Sequence, residues 1–293
     1  VVRVTDSGLG CGNDWPLCDG QIIPPLDNVT AWIEWSHRLF AVLIGLFGLA
    51  TLYVAIRAYR QRNRVVLGAT VLAAVLFMVQ SGLGAFVVIF ELPPTMVTLH
   101  LGTAMLLLGA LLIAAIGARY VPRQFYKPDS FTILVYVTTA LSLVIILTGA
   151  LVRGSGATLA CVDWPLCNGE ILPFQQGQLA TIHMLHRFAV AGLGIALALL
   201  IASAFTTRTD RRLRILALLS LAVYLTQALV GALFVWSAAA PVWGATHVGM
   251  AALTWALLVA LSVYETLNHR AIDESETEKL EQEWQPQSEP LLN

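Results

Sequence analysis

Seven apolar stretches dominate this chain of 293 residues. Each is long enough to cross a lipid bilayer, which takes about 20 helical residues. They are Ile33–Ile56, Val65–Phe90, Thr95–Ala118, Phe131–Val152, Thr181–Phe205, Leu213–Trp236 and Val242–Tyr264. None shows the alternation of polar and apolar residues that membrane β-barrel strands need. Because helices satisfy their own backbone hydrogen bonds in lipid, the sequence predicts an all-α, polytopic membrane helical bundle with seven spans.

The charged residues exclude other classes and predict an orientation. They make up only 12% of the chain, with a net charge of −1, whereas a nucleic-acid-binding protein would show a basic excess. Eleven of the 17 basic residues lie in three alternate loops: Arg57, Arg60, Arg62, Arg64, Arg119, Arg123, Lys127, Arg208, Arg211, Arg212 and Arg214. Basic loops stay cytoplasmic, so the loops that carry all four cysteines are predicted to be extracytoplasmic at the plasma membrane.

The chain after the last span is acidic and lacks a hydrophobic period. Residues from Glu265 to Asn293 are therefore predicted to form a solvated cytoplasmic extension without chemistry, and His269 is given no role. The predicted domains are an N-terminal half-bundle (1–120), a C-terminal half-bundle (129–270) and an acidic cytoplasmic tail (271–293).

An internal repeat relates the two halves with an offset of 147 to 150 residues. The matching pairs include Asp14–Cys18 with Asp163–Cys167, His37-Arg38 with His186-Arg187, Gln80 with Gln227, Gly84 with Gly231, and His100 with His247. The second copy has four spans and the first has three. We therefore expect two four-helix halves related by a pseudo-two-fold axis along the membrane normal, with the first helix absent from this chain. A seven-helix protein that starts at Val1 is the alternative.

Four histidines are the main candidates for chemistry, because ionisable side chains within membrane spans are costly. His37, His100, His186 and His247 each lie near the start of a span that runs in the same direction, so they should share one depth. Two imidazoles that face each other across a bundle suit the two axial positions of a haem iron. Zinc is a weaker interpretation, because it would need four ligands converging in one place and the cysteines lie in loops away from these histidines. A buried histidine that bonds a neighbouring polar group is the simpler alternative for any one of them.

The halves differ one turn before the first histidine of each pair. Glu34 precedes His37, whereas His183 precedes His186. A carboxylate beside a haem edge could accept a proton or stabilise a developing positive charge. The difference therefore predicts chemistry in the first half and electron transfer in the second. A carboxylate at the membrane interface, paired with Arg38 or with water, is the alternative for Glu34.

Two further sets of residues accompany the histidines. Arg38 and Arg187 follow them directly and could pair with haem propionates, or could reach the interface as span-end arginines often do. Cys11 with Cys18, and Cys161 with Cys167, are expected to form two disulfides within the outer loops, since disulfides persist outside the cytoplasm. Whether such a pair is structural or redox-active stays open.

Several motifs together resemble the haem A synthase family of aerobic bacteria and mitochondria. They are Gly8-Leu9-Gly10-Cys11, Asp14-Trp15-Pro16-Leu17-Cys18 and Glu34-Trp35-Ser36-His37-Arg38. The similarity extends through His247. It implies an eight-helix bundle and the oxidation of a methyl group of haem O to the formyl group of haem A for cytochrome oxidase.

The resemblance also implies roles for individual residues. His37 and His100 would hold haem O, His186 and His247 would ligate a resident haem b, and Glu34 would be the catalytic carboxylate. Cys11–Cys18 would be the disulfide associated with activity, and Cys161–Cys167 the second. Expected partners are haem O, the lipid bilayer, haem O synthase and the cytochrome oxidase assembly machinery, but no nucleic acid; a homo-oligomer is left open.

Two other functions fit the histidines. A di-haem b membrane cytochrome, linked to a quinol and without haem modification, would explain both pairs but not the difference between Glu34 and His183. A haem carrier or assembly factor without catalysis is the third hypothesis.

Overall fold

The computed structural model describes residues 1–121 and 127–283, with side chains up to residue 269. It confirms the predicted all-α membrane bundle. The seven long helices of the described residues are α1 Val29–Tyr59, α2 Arg64–Ile89, α3 Pro94–Arg119, α4 Ser130–Gly154, α5 Gln178–Thr207, α6 Arg211–Trp236 and α7 Pro241–Glu283. All seven contain a segment apolar enough to cross a membrane.

Polar residues at the loop ends explain where four helices begin. The side chains of Asn28, Asn63, Asp129 and Asp210 accept hydrogen bonds from the first backbone N–H groups of α1, α2, α4 and α6. These N–H groups have no partner within the helix, so a side-chain oxygen stabilises each helix start. The helices begin up to four residues before the predicted spans. The spans were predicted from apolar residues alone, so they omit the polar first turns of the helices.

The helices of the second half pack into one core. α5 contacts both α4 and α6, and α6 contacts α7. The cluster of buried side chains that they share is formed by Phe131, Val135, Ile145, Leu193, Leu197, Leu200, Ala204, Leu213, Ala217, Tyr224, Leu258 and Leu261. In the first half α1 packs on α2. Large apolar side chains of α1, such as Phe47 and Leu49, are exposed. Such a surface is the one a lipid bilayer covers.

The third helix joins the two halves. α3 contacts α4 and α7, and the indole N–H of Trp255 on α7 donates a hydrogen bond of 2.9 Å to the carbonyl oxygen of Met105 on α3. Because a buried indole N–H is costly without an acceptor, this bond favours one register between the halves.

The repeat is visible in the backbone. α2 and α6 have the same length of 26 residues. Each is followed by two residues with positive φ, Glu91 and Leu92 after α2 and Ala238 and Ala239 after α6. Non-glycine residues rarely adopt this conformation, so the same turn at both positions is specific evidence that the sequence repeat is also a structural one.

The prediction that the solvated extension begins at Glu265 is wrong, and the side chains from residue 270 onward lie outside the described residues. α7 continues past the membrane span, and the Glu265 side chain is completely buried. It forms an ion pair with Arg208, which is 1% exposed, and its Oε1 accepts a hydrogen bond of 2.8 Å from Thr132. Arg208 also donates to both carboxylate oxygens of Asp129, each at 2.8 Å. Burial would lower the pKa of Arg208, but the bonds to Asp129 and Glu265 raise it above its usual value.

We call Asp129, Thr132, Arg208 and Glu265 the arginine-end cluster. Its hydrogen bonds connect the start of α4, the end of α5 and the middle of α7. The cluster lies at the end of the bundle opposite the cysteine loops. His269, which was given no role, lies beside it with Nε2 3.2 Å from a Glu265 oxygen. The sequence pattern missed the cluster because a buried acidic residue is indistinguishable from a solvated one until its partner is known.

Candidate functional site

A cavity of about 1940 Å³ lies at the end of the bundle that carries the cysteine loops, and it extends through both halves. Pockets for drug-sized ligands measure roughly 300–1,000 Å³, so this one has room for more than one large ligand. Its wall is mainly apolar and contains Glu34 and the histidines of both halves: His37, His100, His183, His186 and His247.

The four histidines lie at matched depths. His37 and His186 are each the ninth residue of their helix, α1 and α5. His100 and His247 are each the seventh residue of theirs, α3 and α7. All four imidazoles line the one cavity, which contains both of the pairs that the sequence predicted.

Both histidines of the second half are oriented by their Nδ1 atoms. The Thr148 hydroxyl donates to the carbonyl oxygen of Ile145, so it accepts the hydrogen bond of 2.9 Å from His186 Nδ1. His247 Nδ1 donates to the carbonyl oxygen of Gln227 at 3.1 Å. A proton on Nδ1 leaves the lone pair on Nε2, which is the arrangement of a metal-ligating histidine with its supporting hydrogen bond. These two residues therefore fit the axial positions of a haem iron.

The histidines of the first half are held differently. His100 Nε2 lies 3.1 Å from the side-chain amide nitrogen of Gln80, while His100 Nδ1 is buried without a hydrogen bond. His37 makes no hydrogen bond to any described residue. His100 lies against the backbone of Gln80 as His247 lies against that of Gln227, but its Nδ1 does not reach the hydrogen-bond geometry of His247.

Three glycines leave space for the rings. A Cβ atom added at Gly84 would lie 3.2 Å from His100 Cε1, and one at its repeat partner Gly231 would lie 2.9 Å from His247 Cε1. A Cβ at Gly149 would lie 3.2 Å from His186 Cε1. These distances are shorter than ordinary contacts between carbon atoms. Glycine at these positions lets an imidazole lie against the neighbouring helix.

Glu34 is buried at 3% exposure and both of its oxygens are engaged. Oε1 forms a 2.6 Å ion pair with Arg38 Nη2, and Oε2 accepts a 3.0 Å hydrogen bond from the backbone N–H of Cys11. The pairing with Arg38 that the sequence left open is therefore present, within the cavity wall rather than at an open surface. It fixes the carboxylate in place next to the first disulfide.

His183 occupies the corresponding position in the second half and is also buried. Its Nε2 accepts a hydrogen bond of 3.3 Å from Arg187 Nη2, and its Nδ1 has no hydrogen bond. The two arginines thus contact unlike partners, a carboxylate in one half and an imidazole in the other.

Arg38 and Arg187 also hold the cysteine loops. Arg38 Nη1 donates to the carbonyl oxygens of Asp14, Pro16 and Leu17, the last at 2.6 Å. Arg187 Nη1 donates to the carbonyl oxygen of Leu166 in the second loop. Contact with haem propionates, which the sequence suggested for both, stays a prediction.

Both expected disulfides are present. Cys11 is bonded to Cys18, and Cys161 to Cys167. All four cysteines are buried at 0–1% exposure, and each loop is closed by a short antiparallel bridge, Cys18 with Gln21 and Cys167 with Glu170. The loops are rigid caps at the disulfide end, and the first directly contacts Glu34.

Sequence reasoning missed three polar side chains around the rings. Thr148 was not noticed, Gln80 was noted only as a repeat partner of Gln227, and Thr254, which donates to the Gln227 side chain at 3.4 Å, was not noticed either. The spacing of the glutamines to the histidines, 20 residues in each half, was the available signal. No group of three or more His, Cys, Asp or Glu side chains within the described residues could hold a bare metal ion.

Comparison with known proteins identifies the family of this chain. Residues 1–259 match the model of the COX15-CtaA family, described as cytochrome oxidase assembly protein. A protein named Heme A synthase from Exiguobacterium sibiricum is 35% identical over 196 residues, which cover 66% of this chain and 64% of that relative. A protein of the same name from Geobacillus thermodenitrificans is 34% identical over 250 residues, covering 81% and 76%. One from Symbiobacterium thermophilum is 33% identical over 246 residues, covering 80% and 78%.

The fold and the site together define a multi-pass membrane protein whose helices enclose a histidine-lined cavity under disulfide-closed loops. The chain belongs to the COX15-CtaA family of cytochrome oxidase assembly proteins. It spans less than two thirds of the length of the Exiguobacterium relative.

Proposed function

We propose that this protein is a haem A synthase, an oxidoreductase that converts a methyl group of haem O into the formyl group of haem A. The observation that carries the proposal is the pair of matched histidine sites in one cavity, of which only the first contains a buried carboxylate. The names of the relatives support it.

The second half is the proposed site of a resident haem b. His186 and His247 would hold it, because their Nδ1 bonds to Thr148 and to the Gln227 carbonyl leave both Nε2 lone pairs available. Gly149 and Gly231 leave the space in which the two rings keep this orientation. When bound, haem b supplies one-electron transfer.

The first half is the proposed substrate site, with haem O held by His37 and His100. Converting a methyl group to a formyl group takes one oxygen atom from water and releases four protons and four electrons, in two successive two-electron oxidations. The electrons would leave one at a time through the haem b of the second half to an external one-electron acceptor. An alcohol forms in the first. The second gives a hydrated aldehyde, which loses water.

Glu34 is the proposed catalytic residue of these oxidations. Its carboxylate would stabilise the positive charge that develops near the methyl carbon, or accept a proton released there. Arg38 and the Cys11 N–H hold both oxygens in fixed positions, which reduces the reorganisation that stabilising this charge would require. Because Cys11 is half of the first disulfide, that disulfide keeps one of these donors in place.

The remaining expectations form part of the same proposal. The cysteine loops are extracytoplasmic, and the opposite end of the bundle, which contains the arginine-end cluster, is cytoplasmic. Both assignments follow the distribution of basic residues. Haem O would arrive from haem O synthase, and the product would pass to the cytochrome oxidase assembly machinery. Residues 1–120 are the substrate half and residues 129–270 the haem b half, and the acidic tail is cytoplasmic.

The second candidate is a di-haem b electron-transfer cytochrome linked to a quinol. The similar depth of the two histidine pairs favours it, since it would need two equivalent haems. The difference between Glu34 and His183 favours the synthase.

Alanine substitutions of the histidines distinguish the two functions. We expect His186→Ala to lose the haem b that copurifies with the protein, and His37→Ala to keep it while binding no added haem O. Extraction of the pigment and chromatography measure both. Equal loss of copurified haem b from the two variants would support the di-haem cytochrome and contradict the synthase.

A further inference from the structure

The two repeat-related glutamines, Gln80 and Gln227, contact their histidines in different ways. Each is the seventeenth residue of its helix, and each histidine, His100 or His247, is the seventh of the next. In the second half the backbone carbonyl of Gln227 accepts from His247 Nδ1. In the first half the side-chain amide of Gln80 contacts His100 Nε2.

The contact in the first half blocks the atom that a ligand would need. The Gln80 amide nitrogen lies 3.1 Å from His100 Nε2, so its N–H donates to the lone pair with which an imidazole binds iron. Binding of an iron to Nε2 requires that this hydrogen bond break. No such contact engages His247, whose Nε2 makes no hydrogen bond within the described part of the chain.

A single sequence difference explains why the glutamines behave differently. The Gln227 side chain lies beside Thr254, whose single hydroxyl proton is shared between Gln227 Oε1 at 3.4 Å and the carbonyl oxygen of Met250 at 3.0 Å. The residue equivalent to Thr254 is Leu107, the fourteenth residue of α3 as Thr254 is of α7. Leucine offers no hydrogen bond, and the buried Oε1 of Gln80 has no partner. The amide of Gln80 is therefore available to His100.

We propose that Gln80 is a positioning residue that acts as a latch on His100 and makes haem binding in the first half readily reversible. The inference rests on the proposed function, since a substrate must leave after oxidation whereas a resident haem must stay. Gln80 competes with the iron for Nε2 and reoccupies it when the haem departs. Thr254 removes the equivalent competition in the second half, so that haem there dissociates slowly.

The test measures haem dissociation from the purified full chain in lipid nanodiscs, loaded with iron protoporphyrin IX and mixed with excess apomyoglobin. Two variants disable the latch by different routes. Gln80→Leu removes the amide, and Leu107→Thr gives Gln80 the partner that Gln227 has. His37→Ala identifies the kinetic phase of the first half, and the low-spin absorbance of a haem with two imidazole ligands reports ligation.

Both variants should slow the His37-dependent phase by roughly three- to tenfold, the worth of about one net hydrogen bond. Thr254→Leu should accelerate the other phase by a similar factor, because it frees Gln227 to compete for His247. Thr226→Val is the control and should leave both phases unchanged, since the Thr226 side chain is exposed and its hydroxyl donates to the carbonyl oxygen of Ala222 on its own helix.

The outcomes separate the latch from the proposed function. If Gln80→Leu and Leu107→Thr leave the His37-dependent phase at the wild-type rate, or accelerate it, the latch is contradicted and the substrate site stands. If the wild-type chain and both variants bind haem with no His37-dependent phase, the substrate site itself is contradicted, and the latch with it.

Discussion

Replacing Glu34 by glutamine should reduce the formation of oxidised haem by at least about a hundredfold, the lower end of what a positioned acid or base contributes. The substitution keeps the size of the side chain and an oxygen that can accept from the Cys11 N–H, but it removes the negative charge that pairs with Arg38. The haem b content should not change, because Glu34 lies in the half that contains His37. Chromatography of extracted haems after supplying haem O measures both quantities.

Glu91 provides the matched control for this variant. It is an exposed carboxylate in the turn between α2 and α3, and it makes no ion pair with any described residue. Glu91→Gln should therefore leave both the haem b content and product formation at the wild-type level. Wild-type amounts of product from Glu34→Gln would remove Glu34 from the chemistry.

Replacing Arg208 by methionine should destabilise the bundle by about 3–5 kcal/mol, the usual cost of removing one partner of a buried ion pair. Arg208 and Glu265 are 1% and 0% exposed, so the Glu265 carboxylate would remain in the interior without its cation. Thermal unfolding of the detergent-solubilised protein, followed by tryptophan fluorescence, measures the loss.

Arg211 is the control at the same end of the bundle. It is an exposed arginine at the first position of α6, and exposed charges contribute about 0–1 kcal/mol. Arg211→Met should therefore shift the unfolding temperature little. A similarly small shift for Arg208→Met would show that the arginine-end cluster does not stabilise the fold.

The same cluster makes a prediction about pH. The hydrogen bonds from Arg208 lower the pKa of Asp129 from 3.8 to about 2. A folded-state pKa below the unfolded one means that the ionised carboxylate stabilises the fold above pH 3.8, and that this contribution disappears as the pH falls through about 2. Asp129 is partly exposed, so solvent screening makes this contribution small.

Most of the architecture was predictable from the sequence because a helix that crosses a lipid bilayer must be a long apolar stretch, and such stretches are visible in the sequence. The apolar stretches predicted all seven helices, and the repeat offset between His37 and His186 corresponds to an equal position in the structure, ninth in α1 and ninth in α5. An ionisable side chain within a membrane span costs free energy, so the positions of the histidines indicated a functional site even without a structure.

The hydrogen-bond partners were not predictable, because they depend on which helices become neighbours. Glu265 looked like the start of a solvated tail, and only the packing of α5 against α4, with α7 beside them, shows that it meets Arg208. In the same way, the sequence paired Gln80 with Gln227, yet the Gln80 amide contacts His100 whereas the Gln227 side chain lies beside Thr254.

Pigment analysis of the purified wild-type protein, before and after haem O is supplied, tests the central claim most directly. We expect one haem b per chain before the addition, and hydroxylated or formylated haem afterwards. Haem b at both sites, with the added haem O recovered unmodified, would contradict it.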